Sequence, residues 1–147
     1  MFIPFFLSCK ECSAPLGMES HHIKDSQITA SSQWDGNHAA IQGRLNFKAG
    51  RGKQGGWSAR WNNRNQWIQV ALGSYTKLTG IATQGRNAHN QWVTAYKLQY
   101  SDDGMNFYYY KVPGHSSPKV MSSPSKYTLN SFIFSLFIMI LGKVDEP

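Results

Sequence analysis

Between Asp35 and Asp102 the sequence contains no aspartate or glutamate, although Arg44, Lys48, Arg51, Lys53, Arg60, Arg64, Lys77, Arg86 and Lys97 all fall there. The whole chain of 147 residues carries a net charge of +7 and only eight acidic side chains. A carboxylate pair for acid–base hydrolysis therefore has few candidates. An unbroken basic segment of this kind favours anionic partners: acidic lipid head groups, sulfated glycans or nucleic acid. Cysteine is equally scarce. Cys9 and Cys12 form one C-x-x-C pair with no second pair to complete a zinc site, and no βαβ pattern surrounds them to make a dithiol redox site.

Long hydrophobic runs are also missing. Residues 132–141 (FIFSLFIMIL) are apolar except for Ser135, but they number only ten. A membrane-spanning helix needs about 20 such residues. A buried strand, a lipid-dipping tail and a non-native reading frame all remain open for this run. Residues 1–7 (MFIPFFL) are apolar without a preceding Lys or Arg, so residues 1–11 are expected to be the remnant of a secretory signal. The five histidines, His21, His22, His38, His89 and His115, form no H-E-x-x-H motif. Residues 50–56 (GRGKQGG) lack the spacing of a phosphate-binding loop, so they read as a mobile basic loop. Catalysis, metal binding and a bound cofactor are not expected. Nor is nucleic acid expected as a partner, since the basic residues come without an RRM-type aromatic signature.

What the chain does have is short alternating segments. Residues 26–31 (SQITAS) alternate polar and apolar. In residues 67–72 (WIQVAL), Trp67, Gln69 and Ala71 lie opposite Ile68, Val70 and Leu72. Residues 77–83 alternate again, and residues 93–100 align Tyr96, Leu98 and Tyr100. Ser101-Asp102-Asp103-Gly104 is a hairpin turn with glycine where a left-handed backbone is needed, and residues 105–110 are the returning strand. No helical period is sustained. Short strands separated by Gly, Asn and Ser turns predict an all-β sandwich or barrel with one core. Three polar, Gly-containing connections stand out at residues 33–42, 48–59 and 85–91. Residues 112–125 are rich in Pro and Ser and read as a linker or disordered stretch.

Residues 12–111 resemble the discoidin family, also called the coagulation factor 5/8 type C domain. The resemblance rests on Cys12 with Pro15-Leu16-Gly17-Met18-Glu19, then Asp25-Ser26-Gln27-Ile28-Thr29-Ala30-Ser31-Ser32, Gly43-Arg44-Leu45-Asn46 and Trp57-Ser58-Ala59. It continues through Asn65-Gln66-Trp67-Ile68-Gln69-Val70, Thr83-Gln84-Gly85-Arg86 and Tyr96-Lys97-Leu98-Gln99-Tyr100-Ser101-Asp102-Asp103-Gly104. Together these pieces, in family order, are specific. The resemblance implies an antiparallel jelly-roll β-sandwich or barrel of the galactose-binding-like type, with ligand-holding loops at one end. Those loops fall on the three polar connections at residues 33–42, 48–59 and 85–91.

The resemblance further implies a secreted or cell-surface, non-catalytic adhesion module. Its partners would be a phospholipid membrane surface, a glycan or an extracellular matrix protein such as collagen. The ligand-binding residues expected on the loops are Trp34, Asn37, His38, Arg51, Lys53, Arg86, His89 and Trp92. Trp34 would be either an exposed loop-tip residue or a core residue, whereas Trp57 and Trp67 are expected in the core. Trp34 and Arg86 also resemble the collagen-reading Trp and Arg of the discoidin domain receptors, but the acidic residues beside them there have no counterpart here. Ala71 stands where the family usually has Asp. The family's late cysteine, which closes a disulfide worth about 4 kcal/mol to the position of Cys12, is not recognisable. After Lys111 the resemblance stops, so residues 112–147 are expected as a divergent linker and short tail. The fold is then C-terminally incomplete. The alternative is a structural fragment of a larger adhesion protein that folds only beside missing strands.

Overall fold

A computed structural model describes residues 14–76, 78, 80–122, 127–130 and 137–145, the last two segments as backbone strands. Cys9, Cys12 and the expected signal remnant lie outside the described residues. Among the described residues eight strands occur in order: β1 (Ile28–Ala30), β2 (Trp67–Ala71), β3 (Ile81–Gln84), β4 (Trp92–Ser101), β5 (Tyr108–Tyr109), β6 (Val120–Ser122), β7 (Tyr127–Asn130) and β8 (Phe137–Asp145). Short 3-10 turns at Asp25–Gln27, Gly36–His38 and Ala40–Gln42 are the helical elements among the described residues.

The strands form two sheets, as expected of a sandwich. A six-stranded sheet runs β1-β2-β8-β4-β5, with β6 also on β4, and β3 pairs with β7 in a second sheet. Every strand pair is antiparallel. Period-two alternation puts Ile68, Val70 and Leu72 on the inner face, against Ile23, Ile28 and Ala40. On β4 the same rule buries Tyr96 and Leu98, and Leu98 packs on Leu78 with Leu72, Ile81, Tyr100 and Tyr110 around it. Leu72 touches both clusters and joins them into one core.

The hairpin expected at residues 101–104 is present. Gly104 has φ +72°, and the Asp103 carboxylate accepts from the amides of Met105 and Asn106, the Asn106 side chain and the Ser101 hydroxyl. These bonds hold the Asp103 carboxyl far below the usual carboxylate range, those from the Asn106 and Met105 amides foremost.

The expectation for residues 112–147 is corrected. Within the stretch read as a linker, β6 pairs with β4 and buries Met121. Phe137 to Leu141, half of the apolar run left open between strand and tail, begin β8. This strand sits between β2 and β4, with Ile68 opposite Ile140 and Leu98 opposite Ile140 on the other side. The chain itself supplies the strand that joins the two halves of the large sheet. Antiparallel pairing at residues 67–71 and 92–101 thus needs no strand from a partner.

Candidate functional site

Three loops are fastened together at one end of the sandwich. In the first, Asp35 caps the Gly36–His38 turn, accepting from the Asn37 amide and from His38 Nδ1, each at 2.7 Å. The His38 hydrogen bond, ahead of the Asn37 amide, lowers the Asp35 pKa. The second loop zips onto the first. The Gln54 amide donates to the Asn37 carbonyl at 2.9 Å, the Trp34 amide to the Ser58 carbonyl at 2.8 Å, and the Ser58 amide to the His38 carbonyl at 3.3 Å.

A polar hub ties Ser31 and Ser32 to Trp57, Arg60 and Gln66. The Ser31 and Ser32 hydroxyls donate to Oε1 of buried Gln66, Trp57 Nε1 donates to the Ser32 carbonyl at 2.8 Å, and the Arg60 amide donates to the Ser32 hydroxyl. Trp57 also packs on the Ile23–Ile28–Ala40 cluster, the core role expected of it.

The third loop joins the second through backbone and side chain. The Asn87 amide donates to the Gly55 carbonyl at 2.8 Å, and Asn87 Oδ1 accepts from the Ala49 amide. The Arg86 guanidinium bridges the two loops, giving Nη1 to Gln91 at 2.8 Å and Nη2 to Gln54 at 2.6 Å. Expected as a ligand-binding base, Arg86 therefore also clamps the loops, and its buried Nε is without a partner.

Beneath the loops lies a cavity of about 430 Å³. Of the residues expected at the site, Trp34, His38, Arg86 and Trp92 line it. Trp92 does so as the first residue of β4 rather than from a loop. Asn37, Arg51, Lys53 and His89 are exposed and do not line it. Arg51 and Lys53 belong to a tight turn closed by reciprocal bonds between Gly50 and Lys53, and Lys53 Nζ reaches the Gly36 carbonyl at 3.4 Å.

The structure also decides the two readings of Trp34. It is 65% exposed. Trp61, a residue that the sequence pattern did not single out, shares the cavity lining with it; Trp61 is 57% exposed, with the Arg60 guanidinium 5.4 Å from its ring centroid. The available signal was its setting: an indole between Arg60 and four consecutive polar residues, 62–65, belongs to a loop. Deeper in the cavity, Gln42 Oε1 and Arg44 Nε are buried without partners. Among the described residues no three His, Cys, Asp or Glu side chains gather as a metal site, and no helix is long and apolar enough to cross a membrane.

A family model described as F5/8 type C domain matches residues 27–141. The chain belongs to that family. The match runs past Lys111 and takes in the start of β8, in agreement with the pairing of that strand to β2 and β4.

Rat lactadherin is 41% identical over 110 residues, covering 71% of this chain and 26% of lactadherin. Pig coagulation factor V is 37% identical over 145 residues, covering 90% of this chain and 6% of factor V. The chain thus spans a small part of these curated relatives. Among solved structures, discoidin II of Dictyostelium discoideum superposes with a TM-score of 0.71 at 23% identity, covering 81% of this chain and 49% of that one. A family 32 carbohydrate-binding module of Clostridium perfringens NanJ, solved with galactose, superposes with a TM-score of 0.57 at 19% identity, covering 82% and 85%. As an F5/8 type C domain the chain belongs to a family of non-catalytic ligand-binding modules.

Proposed function

We propose that the three-loop end of this F5/8 type C domain docks on an anionic phospholipid surface. The observation that supports it is the pair of exposed indoles, Trp34 and Trp61, on the lining of one cavity in a segment free of carboxylates after Asp35. Large apolar side chains left in water mark an interaction surface, and tryptophan partitions to the boundary between head groups and hydrocarbon. Arg51, Lys53 and Arg60 add exposed cations from the same part of the chain. Each contributes about 1 kcal/mol near an acidic membrane.

A second reading, a glycan held inside the cavity, is favoured by one observation. Gln42 Oε1, Arg44 Nε and Arg86 Nε are unpartnered polar atoms of the kind that sugar hydroxyls satisfy, in a space within the usual range of small-ligand sites.

Co-sedimentation with vesicles separates the two. Phosphatidylserine vesicles are expected to bind and phosphatidylcholine vesicles are not, with Trp34→Ala and Trp61→Ala each weakening binding at least about tenfold. Binding to a glycan array or immobilised collagen, with vesicle binding absent, would overturn the membrane reading.

A further inference from the structure

A second surface lies on the outer face of the large sheet, away from the loops. Tyr96 and Leu98 point inward, so Lys97 between them points outward. Val120 of β6 pairs with Lys97, and Tyr109 of β5 pairs with Gln99, so all four occupy one face, with Lys97, Tyr109 and Val120 exposed and Gln99 buried. Lys97 Nζ lies 5.6 Å from the Tyr109 ring centroid, Tyr109 is 39% exposed and Val120 is 54% exposed. Two more lysines flank the group. Lys111 follows β5 and Lys119 precedes β6, both exposed, and the Lys119 amide donates to the Tyr110 carbonyl at 2.9 Å, which brings the bases of the intervening loop together. Lys97, Tyr109, Lys111, Lys119 and Val120 do not line the loop cavity, which Tyr96 does from the inner face.

We propose that this face binds a linear sulfated polysaccharide, independently of the loop site. Three lysines on adjoining backbone segments match the repeating anions of such a chain. The nearest carboxylates in sequence, Asp102 and Asp103, sit at the far end of the β4–β5 hairpin, where Asp103 is occupied by Ser101 and Asn106. The Tyr109 ring, already held by a cation, offers the flat apolar face on which a sugar ring stacks. An acidic protein segment would use the lysines but gain little from that ring.

The test is binding of the full chain to immobilised heparin across a salt series. Lys97→Ser, Lys111→Ser and Lys119→Ser combined are expected to lower affinity roughly a hundredfold at low salt, from about fivefold per lysine at a polyanionic surface. Phosphatidylserine vesicle binding should stay unchanged, while Arg51→Ser with Lys53→Ser should do the reverse. Tyr109→Ala should weaken heparin binding with the salt dependence kept. Circular dichroism melts establish that each variant is folded. Unchanged heparin affinity in the folded triple variant overturns the proposal, as does equal affinity for desulfated heparin or tighter binding of polyglutamate.

Discussion

Gly55 and Asn87 meet with no room for a side chain between them. The Asn87 amide donates to the Gly55 carbonyl at 2.8 Å, and a β-carbon on Gly55 would lie 2.4 Å from Asn87 Cβ and 2.6 Å from its carbonyl oxygen. The second and third loops are fused at this point because one of the two residues is glycine. Gly55→Ala must push the loops apart, at a cost of about 1–3 kcal/mol. Hydrogen exchange should show the Asn87 amide losing protection, and vesicle binding should fall with it. An unchanged melt and exchange pattern would mean that the contact does not hold the loops.

Ala88 tests the same loop in the opposite sense. Its φ of 63° lies in the left-handed region, and the residue is exposed. The Cβ clash there costs about 1–2 kcal/mol, part of which glycine returns as unfolded-chain entropy. Ala88→Gly should therefore stabilise by about 0.5–1 kcal/mol, read as a thermal midpoint raised by roughly 3 °C.

Arg51 separates stability from binding. It has φ 51° and precedes Gly52 at φ 74°, in a turn closed by two 2.9 Å bonds between Gly50 and Lys53. Positive φ at both central positions is the type I′ pattern. Arg51→Gly relieves the backbone while removing a cation, so the melt should rise as vesicle affinity falls about fivefold. Both quantities moving in the same direction would contradict this.

Asp35 carries a pH dependence. Its pKa is lowered, chiefly by the His38 hydrogen bond, so folding favours its ionised form. That contribution is fully present above the ordinary carboxyl value of 3.8 and is lost as pH falls through the lower folded value. Trp34 stands next in the chain. Its fluorescence should stay constant on acidification down to that range and change below it, and Asp35→Asn should abolish the acid transition. A Trp34 signal that titrates between about pH 5 and 7, the histidine range, would show that another group governs the loop.

Leu98 is fully buried, at 0% exposure, against Leu78. Leu98→Ala should cost about 2–5 kcal/mol, measured by urea unfolding, without changing which vesicles are bound.

The local pattern of this sequence determined which segments can be strands and where the chain must turn. Alternation separated the two faces of β2 and β4, because a strand half-covered by a core repeats every two residues. On β2, however, the inner face is that of Ile68, Val70 and Leu72 and not that of Trp67, which was expected in the core. Residues 101–104 announced their hairpin through Gly104, because the turn needs a left-handed backbone; that the Asp103 carboxylate accepts the turn's hydrogen bonds came from the structure. The three connections were likewise legible from their Gly and polar content, and four of the eight expected site residues do meet at one cavity.

Other features depended on contacts between residues far apart in the chain. The apolar run ending at Leu141 has no alternation to assign its faces, so only pairing with β2 and β4 made it a strand between them. Pro and Ser around β6 read as linker, because a three-residue strand is too short to show a period. Trp34 and Trp57 are the same residue type on adjacent loops. One faces water and the other packs on Ile23, Ile28 and Ala40. Burial is set by what the fold brings alongside, and composition contains no record of that.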